Sequence, residues 1–317
     1  MITIKILIAD PIITSAVENL SKNFEVVERH FSPSELLSKI SDYDAIIVRS
    51  GTKVTREVIE KSKLKVIGRA GVGVDNIDVE AATEKRIFVV NSPRASTISV
   101  AEITIAYMLA LSRNLVQATN ETKAGKWPKK RLMGTEIYGK TLGFIGCGRI
   151  GAEVAKRVQI FGMTCLVYDP YLPPEVPAKI GVELTDDLDR LFRVSDFITI
   201  HAWLTEETRG MIGENELEKM KPTAFLVNCA RGGIVDEEAL YDALKKGKIA
   251  GAALDVFSVE PARENKLFEL ENLYVSPHIG ASTKEAQERA GQVTAEQVRL
   301  VLNSKKPEFC VNPKLLE

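Results

Sequence analysis

Cysteine is scarce in this chain. Its four residues in 317, Cys147, Cys165, Cys229 and Cys310, show no Cys-x-x-Cys spacing. That argues against a disulfide framework and against a zinc site built on thiolates. Three of them stand in or beside apolar runs, where a reduced, buried thiol is expected. With only three histidines, His30, His201 and His278, imidazole chemistry has few candidates, and His30 stands on a polar edge and reads as surface. No apolar run approaches membrane-spanning length. The opening MITIKILIADPI lacks the basic segment and long apolar core of a signal peptide and reads as a first strand. Neither sign of charge dominates: 42 Lys and Arg against 43 Asp and Glu leave a formal charge of -1, which favours neither nucleic acid nor an acidic membrane as partner. Repeats and low-complexity tracts are missing. The expectation is a cytoplasmic, reduced, globular protein without a metal.

What is present is ordinary core material, 45% hydrophobic and 27% charged, in a chain long enough for two domains. Through the first ninety residues short apolar strands at 4–9, 25–28, 45–48, 66–69 and 87–90 alternate with helical patterns at 12–20, 33–40, 56–62 and 79–85. Ser32-Pro33 supplies an N-cap and a proline at the first helical position. Such alternation predicts a parallel sheet with helices on both faces. One long helix is predicted over 96–124, with Ala101, Ile105, Met108, Leu109 and Leu115 near one face, and then a basic loop through Lys129, Lys130 and Arg131. Further strands are expected at 197–201, 224–228, 249–254 and 274–276, with a helix over 236–246 begun by Asp236 and ended by Gly247. The last helix, about 283–303, is expected to return to the first domain, which otherwise lacks a covering element. The predicted organisation is therefore a domain of 1–93 with 282–317, interrupted by an inserted domain of 94–281.

The inserted domain contains the most informative stretch. The apolar run Thr141–Ile145 ends in Gly146-Cys147-Gly148-Arg149-Ile150-Gly151, which opens a helical pattern with Ile150, Val154, Val158 and Phe161 on one face, and a second strand then ends at Asp169. A dinucleotide site needs this order. Gly146 permits the tight turn, Gly148 lets backbone approach a pyrophosphate, and Gly151 lets helix and strand pack closely. The helix N-terminus offers free N–H groups and a positive dipole end. Asp169 can accept from the ribose hydroxyls and would repel the 2′-phosphate of NADP, so NAD is the expected cofactor.

Three polar residues follow late strands of the same domain: Arg231, Glu260 and His278. Exchange of hydride between a nicotinamide and a 2-hydroxy acid needs a forked cation for the carboxylate and carbonyl, a proton-transfer group, and an acid that orients that group. These residues suit the three roles in that order. The segment Asn228-Cys229-Ala230-Arg231-Gly232-Gly233-Ile234-Val235-Asp236 resembles the arginine signature of the D-isomer-specific 2-hydroxyacid dehydrogenases. Asp255-Val256-Phe257 with Glu260-Pro261, and Pro277-His278-Ile279-Gly280-Ala281-Ser282-Thr283, resemble that family's glutamate and histidine signatures.

The resemblance covers essentially the whole chain. It implies an α/β fold of two Rossmann-like, doubly wound parallel-sheet domains, with the cofactor domain inserted in a flavodoxin-like substrate domain. It further implies that Arg149 and Ile150 lie at the pyrophosphate, and that Ala202, Cys229, Ala230, Arg231, Asp255, His278, Gly280 and Ala281 contact the nucleotide. Gly71, Val72 and Gly73 would bind the substrate carboxylate, with Ser50, Asn76, Arg231 and His278 also at the substrate. A homodimer through about 94–131 is implied, with a tetramer left open.

Several stretches are most similar to family members that act on a phosphorylated 2-hydroxy acid. Arg49, Lys53 and a partner's Lys129, Lys130 and Arg131 are the candidate phosphate cations. Two departures stand out. His201-Ala202-Trp203-Leu204 replaces a common His-Thr-Pro-Leu, removing a hydroxyl and inserting a bulky ring near the cofactor. Longer members carry a regulatory ACT domain, whereas this sequence stops at Glu317, so feedback through such a domain is not expected. Rival readings are a reductase of glyoxylate, hydroxypyruvate or D-lactate type, and a nucleotide-sensing corepressor that retains the same three residues.

Overall fold

The computed structural model describes residues 4–316. The chain forms two compact units: one runs to Ser96 and resumes at Ala281, and the other is Thr97–Gly280.

In the first unit, strands β1 (Lys5–Ile8), β2 (Glu25–Glu28), β3 (Ala45–Val48), β4 (Val66–Arg69) and β5 (Phe88–Asn91) alternate with helices α1 (Thr14–Ser21), α2 (Pro33–Lys39), α3 (Arg56–Lys61) and α4 (Val79–Glu84). The sheet order is β2-β1-β3-β4-β5, all parallel, which is the flavodoxin-like winding with its reversal between β1 and β3. Because both faces are covered, the central strands are continuously apolar rather than alternating. Ala45, Ile46, Ile47 and Val48 are all fully buried. On one face Leu7, Ile46, Val48 and Ile67 meet Leu36, Ile59 and Ala82 from α2, α3 and α4. On the other, Ile6, Ile8, Ala45 and Ile47 meet Ala16 and Leu20 of α1 together with Ala295, Val298 and Leu302 of the last helix, Lys284–Leu302. That helix supplies the covering element missing from the first ninety residues. Ser32 caps α2 as expected: its hydroxyl accepts from Glu35 N–H, and Glu35 Oε2 accepts the Ser32 N–H at 2.9 Å.

The second unit begins with α5 (Thr97–Ser112) and α6 (Leu115–Lys123), then runs β6 (Thr141–Ile145), α7 (Arg149–Ile160), β7 (Thr164–Tyr168), α8 (Val176–Ile180), β8 (Glu183–Leu184), α9 (Leu188–Val194), β9 (Phe197–Ile200), α10 (Glu214–Lys219), β10 (Phe225–Asn228), α11 (Glu237–Lys245), β11 (Gly251–Leu254) and β12 (Leu273–Val275). Its sheet, β12-β11-β10-β9-β6-β7-β8, is parallel throughout. This is the dinucleotide-binding winding with one added edge strand, and the order reverses between β6 and β9. Side chains alternate across the sheet. Phe144, Val167 and Val227 pack with α5 and α7, whereas Ile145, Leu166 and Leu226 pack with α9, α10 and α11.

Three expectations need correction. The helix predicted over 96–124 is two helices, broken where Asn114 takes a left-handed φ of 49°. Asparagine tolerates that conformation, and the Ser112 carbonyl is taken by Thr135 N–H at 2.8 Å. Leu109 and Leu115, expected near one face with Ala101, Ile105 and Met108, are 36% and 55% exposed, whereas the other three are buried. Phe161 falls past the end of α7 and is exposed, so the buried stripe of that helix is Val154, Ala155 and Val158.

Candidate active site

The glycine loop stands at the carboxyl end of β6, where the sheet order reverses. Gly146 adopts a φ of +81°, and a Cβ there would lie 2.9 Å from the His201 carbonyl oxygen, so conformation and space both demand glycine. Gly148 is the N-cap of α7 and has no side chain to satisfy the helix's first N–H groups. A Cβ built on Gly148 would meet nothing within 4 Å, which leaves open space in front of those donors. The residues present therefore fit a dinucleotide pyrophosphate. Asp169, just past β7, accepts from Cys147 N–H at 2.8 Å through Oδ2 and from Tyr171 N–H at 3.0 Å through Oδ1, which fixes the carboxylate beside the loop. Remaining lone pairs can still accept from hydroxyls. Burial pushes the Cys147 thiol up to about 12, so it is an inert part of the loop.

The same unit brings Glu260 and His278 together. His278 Nδ1 lies 2.8 Å from Glu260 Oε2, and Glu260 Oε1 accepts from Phe257 N–H at 3.0 Å. Burial acts to raise the Glu260 carboxyl. The hydrogen bonds from His278 and Phe257, and the positive fields of His278 and Arg231, outweigh it and hold the group below its ordinary range. Arg231 follows β10 on a loop clamped by buried Asn228, whose Nδ2 donates to the Arg231 carbonyl at 2.9 Å and whose Oδ1 accepts from Ala230 N–H at 3.0 Å. Its guanidinium donates to the Ala230 carbonyl at 2.7 Å. The next residue ties the arginine and glutamate loops together, because a Cβ on Gly232 would lie 1.8 Å from the Phe257 carbonyl oxygen. Only glycine allows that approach.

His278 occupies a left-handed backbone conformation, with φ 54°, which costs a non-glycine residue about 1–2 kcal/mol. The conformation is held by Asp255, named above among the expected nucleotide contacts. It is 1% exposed, and its carboxylate accepts from the Ser276 hydroxyl and, at 2.7 Å each, from the N–H groups of Ile279 and Gly280. Tyr107 of α5 donates to Ser276 Oγ at 2.5 Å and extends the brace. Cys229, on the loop after β10, is buried, and burial pushes its thiol up to about 12. Ala202 and Ala230 pack partly buried against the core.

In the first unit, Arg49 and Ser50 follow β3 at that sheet's own reversal. Asp10, at the end of β1, holds their loop from one side: its carboxylate accepts from Arg49 N–H at 2.7 Å, Thr52 N–H at 3.0 Å and Thr52 Oγ1 at 2.9 Å. Asn76 holds it from the other, donating to the carbonyls of Arg49 at 2.7 Å and Thr52 at 2.6 Å. The Arg49 guanidinium itself has no hydrogen-bond or ion-pair partner among the described residues. Of the three amides expected to face a carboxylate, Gly71 N–H is committed to the Arg69 carbonyl at 2.8 Å, leaving Val72 and Gly73. Lys53 is exposed, and Arg131 is paired with Glu121. Ala281, expected at the cofactor, opens the second stretch of this first unit.

Several supporting residues were not anticipated. Asp10 could have been suspected from a carboxylate directly ending the apolar run Ile6-Leu7-Ile8-Ala9. Glu237 accepts from Ser258 N–H at 2.6 Å and Asn265 Nδ2 at 2.7 Å, bracing the loop that carries Glu260, and no local signal marks it. His201 lies partly buried beneath the glycine loop, with Nε2 3.0 Å from Thr199 Oγ1. His30 is at the surface, as expected, with Nδ1 3.1 Å from the Ala9 carbonyl.

Residues 105–280 match the model of the D-isomer specific 2-hydroxyacid dehydrogenase, NAD binding domain. The chain is 57% identical over 311 residues to a D-3-phosphoglycerate dehydrogenase of Methanocaldococcus jannaschii, covering 98% of this chain and 59% of the relative. It is 51% identical over 298 residues to a D-3-phosphoglycerate dehydrogenase of Archaeoglobus fulgidus, covering 93% and 56%. This chain thus spans a little over half the length of these curated relatives. Among solved structures, a glyoxylate reductase from Paecilomyes thermophila superposes with a TM-score of 0.90 at 32% identity, covering 99% of this chain and 100% of that one. The glycine loop at the sheet reversal, the His278–Glu260 pair beside Arg231 and these matches agree: the chain belongs to the D-isomer specific 2-hydroxyacid dehydrogenase family.

Proposed function

We propose that the protein is an NAD-dependent dehydrogenase that oxidises 3-phospho-D-glycerate to 3-phosphohydroxypyruvate, the first step of L-serine biosynthesis. In this reading Thr97–Gly280 is the NAD-binding domain and the other unit binds substrate. The protein works in the cytoplasm as a homodimer formed through about 94–131. The 2.8 Å contact between His278 and Glu260, on a loop bridged by Gly232 to that of Arg231, is the observation that carries the reading. Support for the substrate comes from the two archaeal relatives of that name.

NAD, when bound, supplies the hydride acceptor. Gly148, Arg149, Ile150 and Gly151 would hold its pyrophosphate and Asp169 its ribose hydroxyls. With Nδ1–H of His278 donated to Glu260, Nε2 is the atom left to accept the proton of the substrate's 2-hydroxyl. The imidazolium formed faces an ionised Glu260, which favours the transfer. Arg231 presents its fork to the substrate carboxylate and polarises the 2-oxygen. Reduction of the 2-oxo acid reverses these roles. Arg49 and Lys53 are the proposed phosphate cations of this chain, and the Val72 and Gly73 amides the proposed additional carboxylate contacts.

A second reading, an unphosphorylated substrate, is favoured by the glyoxylate reductase match. Steady-state assays with NAD or NADH against 2-hydroxy and 2-oxo acids, with and without a 3-phosphate, separate the two. The His278→Ala variant is expected to lose about 10²–10⁴-fold in kcat. Near-normal turnover by that variant would overturn the mechanism.

A further inference from the structure

Trp203 departs from the family pattern and stands beside the proposed carboxylate grip. Its indole is 60% exposed, while its neighbours Ala202 and Leu204 pack against the core of the second unit. An exposed ring flanked by two anchored residues is held in place without serving as core. The turn that follows braces it further: the Trp203 carbonyl accepts from Thr208 Oγ1 at 2.6 Å, and Thr208 Oγ1 in turn accepts from Thr205 N–H at 2.8 Å. Across from the ring is Arg231, whose Cζ lies 5.7 Å from the indole centroid, within cation–π range.

From this geometry we infer that Trp203 is a positioning residue for Arg231, and so helps to set the affinity for 2-hydroxy and 2-oxo carboxylates. A cation–π contact draws the guanidinium charge to the indole face. A carboxylate binds in the plane of the guanidinium, along the edge that carries the N–H donors. The indole restricts the orientation of the fork before substrate arrives, so less rotamer freedom is lost on binding. The tether from Arg231 Nη1 to the Ala230 carbonyl, at 2.7 Å, restricts the same group from the other end. The inference rests on the role given to Arg231 above.

The chain has two tryptophans, so a Trp127→Phe background leaves Trp203 as the sole indole. Oxalate, an unreactive dicarboxylate, is titrated into that protein saturated with NAD while indole emission is followed. A saturable change in emission is expected, and it should vanish when Arg231→Gln is added. In the otherwise unaltered chain, Trp203→Leu should raise the KM for the 2-hydroxy acid about two- to fivefold, the range of an exposed cation–π contact. Trp203→Phe should restore KM to within about twofold of wild type, and kcat and the KM for NAD should move less than about twofold in either variant. The inference fails if turnover persists and oxalate leaves the emission unchanged. It fails equally if Trp203→Leu has a wild-type KM, or if leucine and phenylalanine behave alike. A wild-type protein that neither turns over any 2-hydroxy acid nor binds oxalate would instead refute the role of Arg231, and that of Trp203 with it.

Discussion

His201 makes the stability of the cofactor unit depend on pH in a calculable way. The residue follows β9 directly, below the glycine loop. Its N–H is donated to the Ile145 carbonyl at 2.8 Å, and its ring lies 3.5 Å from where a Cβ on Gly151 would stand. Burial pushes the imidazole down to about 3 from its ordinary 6.5. The unfolded chain therefore takes up a proton near pH 6.5 that the native protein refuses until about pH 3. The contribution of the neutral histidine is complete above 6.5 and is lost progressively as pH falls from 6.5 towards 3. At pH 5 the loss is about 2 kcal/mol, from 1.36 kcal/mol for each unit between the unfolded titration and the working pH. Urea denaturation of wild type and His201→Gln at pH 7 and pH 5, followed by circular dichroism, isolates this contribution. Glutamine keeps a polar group within reach of Thr199 but does not titrate. Wild type should lose about 2 kcal/mol more than the variant over that interval. Parallel losses in the two proteins would refute the assignment of a neutral imidazole at this site.

Gly232→Ala forces a Cβ to within 1.8 Å of the Phe257 carbonyl oxygen. It should cost about 3 kcal/mol, seen by calorimetry as a fall of roughly 6–12 °C in the Tm of the second unit, and should also depress kcat/KM because two functional loops separate. Glu260→Gln keeps a hydrogen-bond acceptor for His278 but removes the charge. A loss of about tenfold in kcat/KM is expected, measured near pH 7, well above the depressed titration of the native carboxylate. Arg49→Ala should raise the KM for 3-phosphoglycerate by about 10- to 100-fold and leave that for D-glycerate or D-lactate nearly unchanged, a split read from the two saturation curves.

Most of the strand and helix order was legible from apolar runs and punctuation, because a sheet covered on both faces leaves continuous runs such as Ala45-Ile46-Ile47-Val48. The glycine loop was legible for a related reason, since Gly146 is required by backbone conformation and that requirement is local. The break at Asn114 was not, because it depends on the Ser112 carbonyl being taken by Thr135, a residue distant in sequence. Helical periodicity is nearly blind to such long-range competition. Asp255 shows the same limit within the candidate site. Its position after β11 marked it as functional, but three donors from the 276–280 segment turn its carboxylate inward, and they lie some twenty residues away. Residue type and motif could nominate Arg231, Glu260 and His278; what braces them is distributed over Tyr107, Asn228, Glu237 and Ser276.

The return of the last helix to the first unit has a consequence during synthesis. One face of that unit's sheet is covered by α1 together with Lys284–Leu302, so it is incomplete until the ribosome has made all of Thr97–Gly280. At 5–20 residues per second the wait is on the order of 10–40 s. Throughout it, Ile6, Ile8, Ala45 and Ile47 have only part of their eventual cover, while the later-made unit holds every strand and helix of its own sheet in one continuous stretch. The order of folding should therefore invert the order of synthesis, with the middle of the chain reaching its native form before the beginning. The early strands are the part of the nascent protein most in need of a holding chaperone.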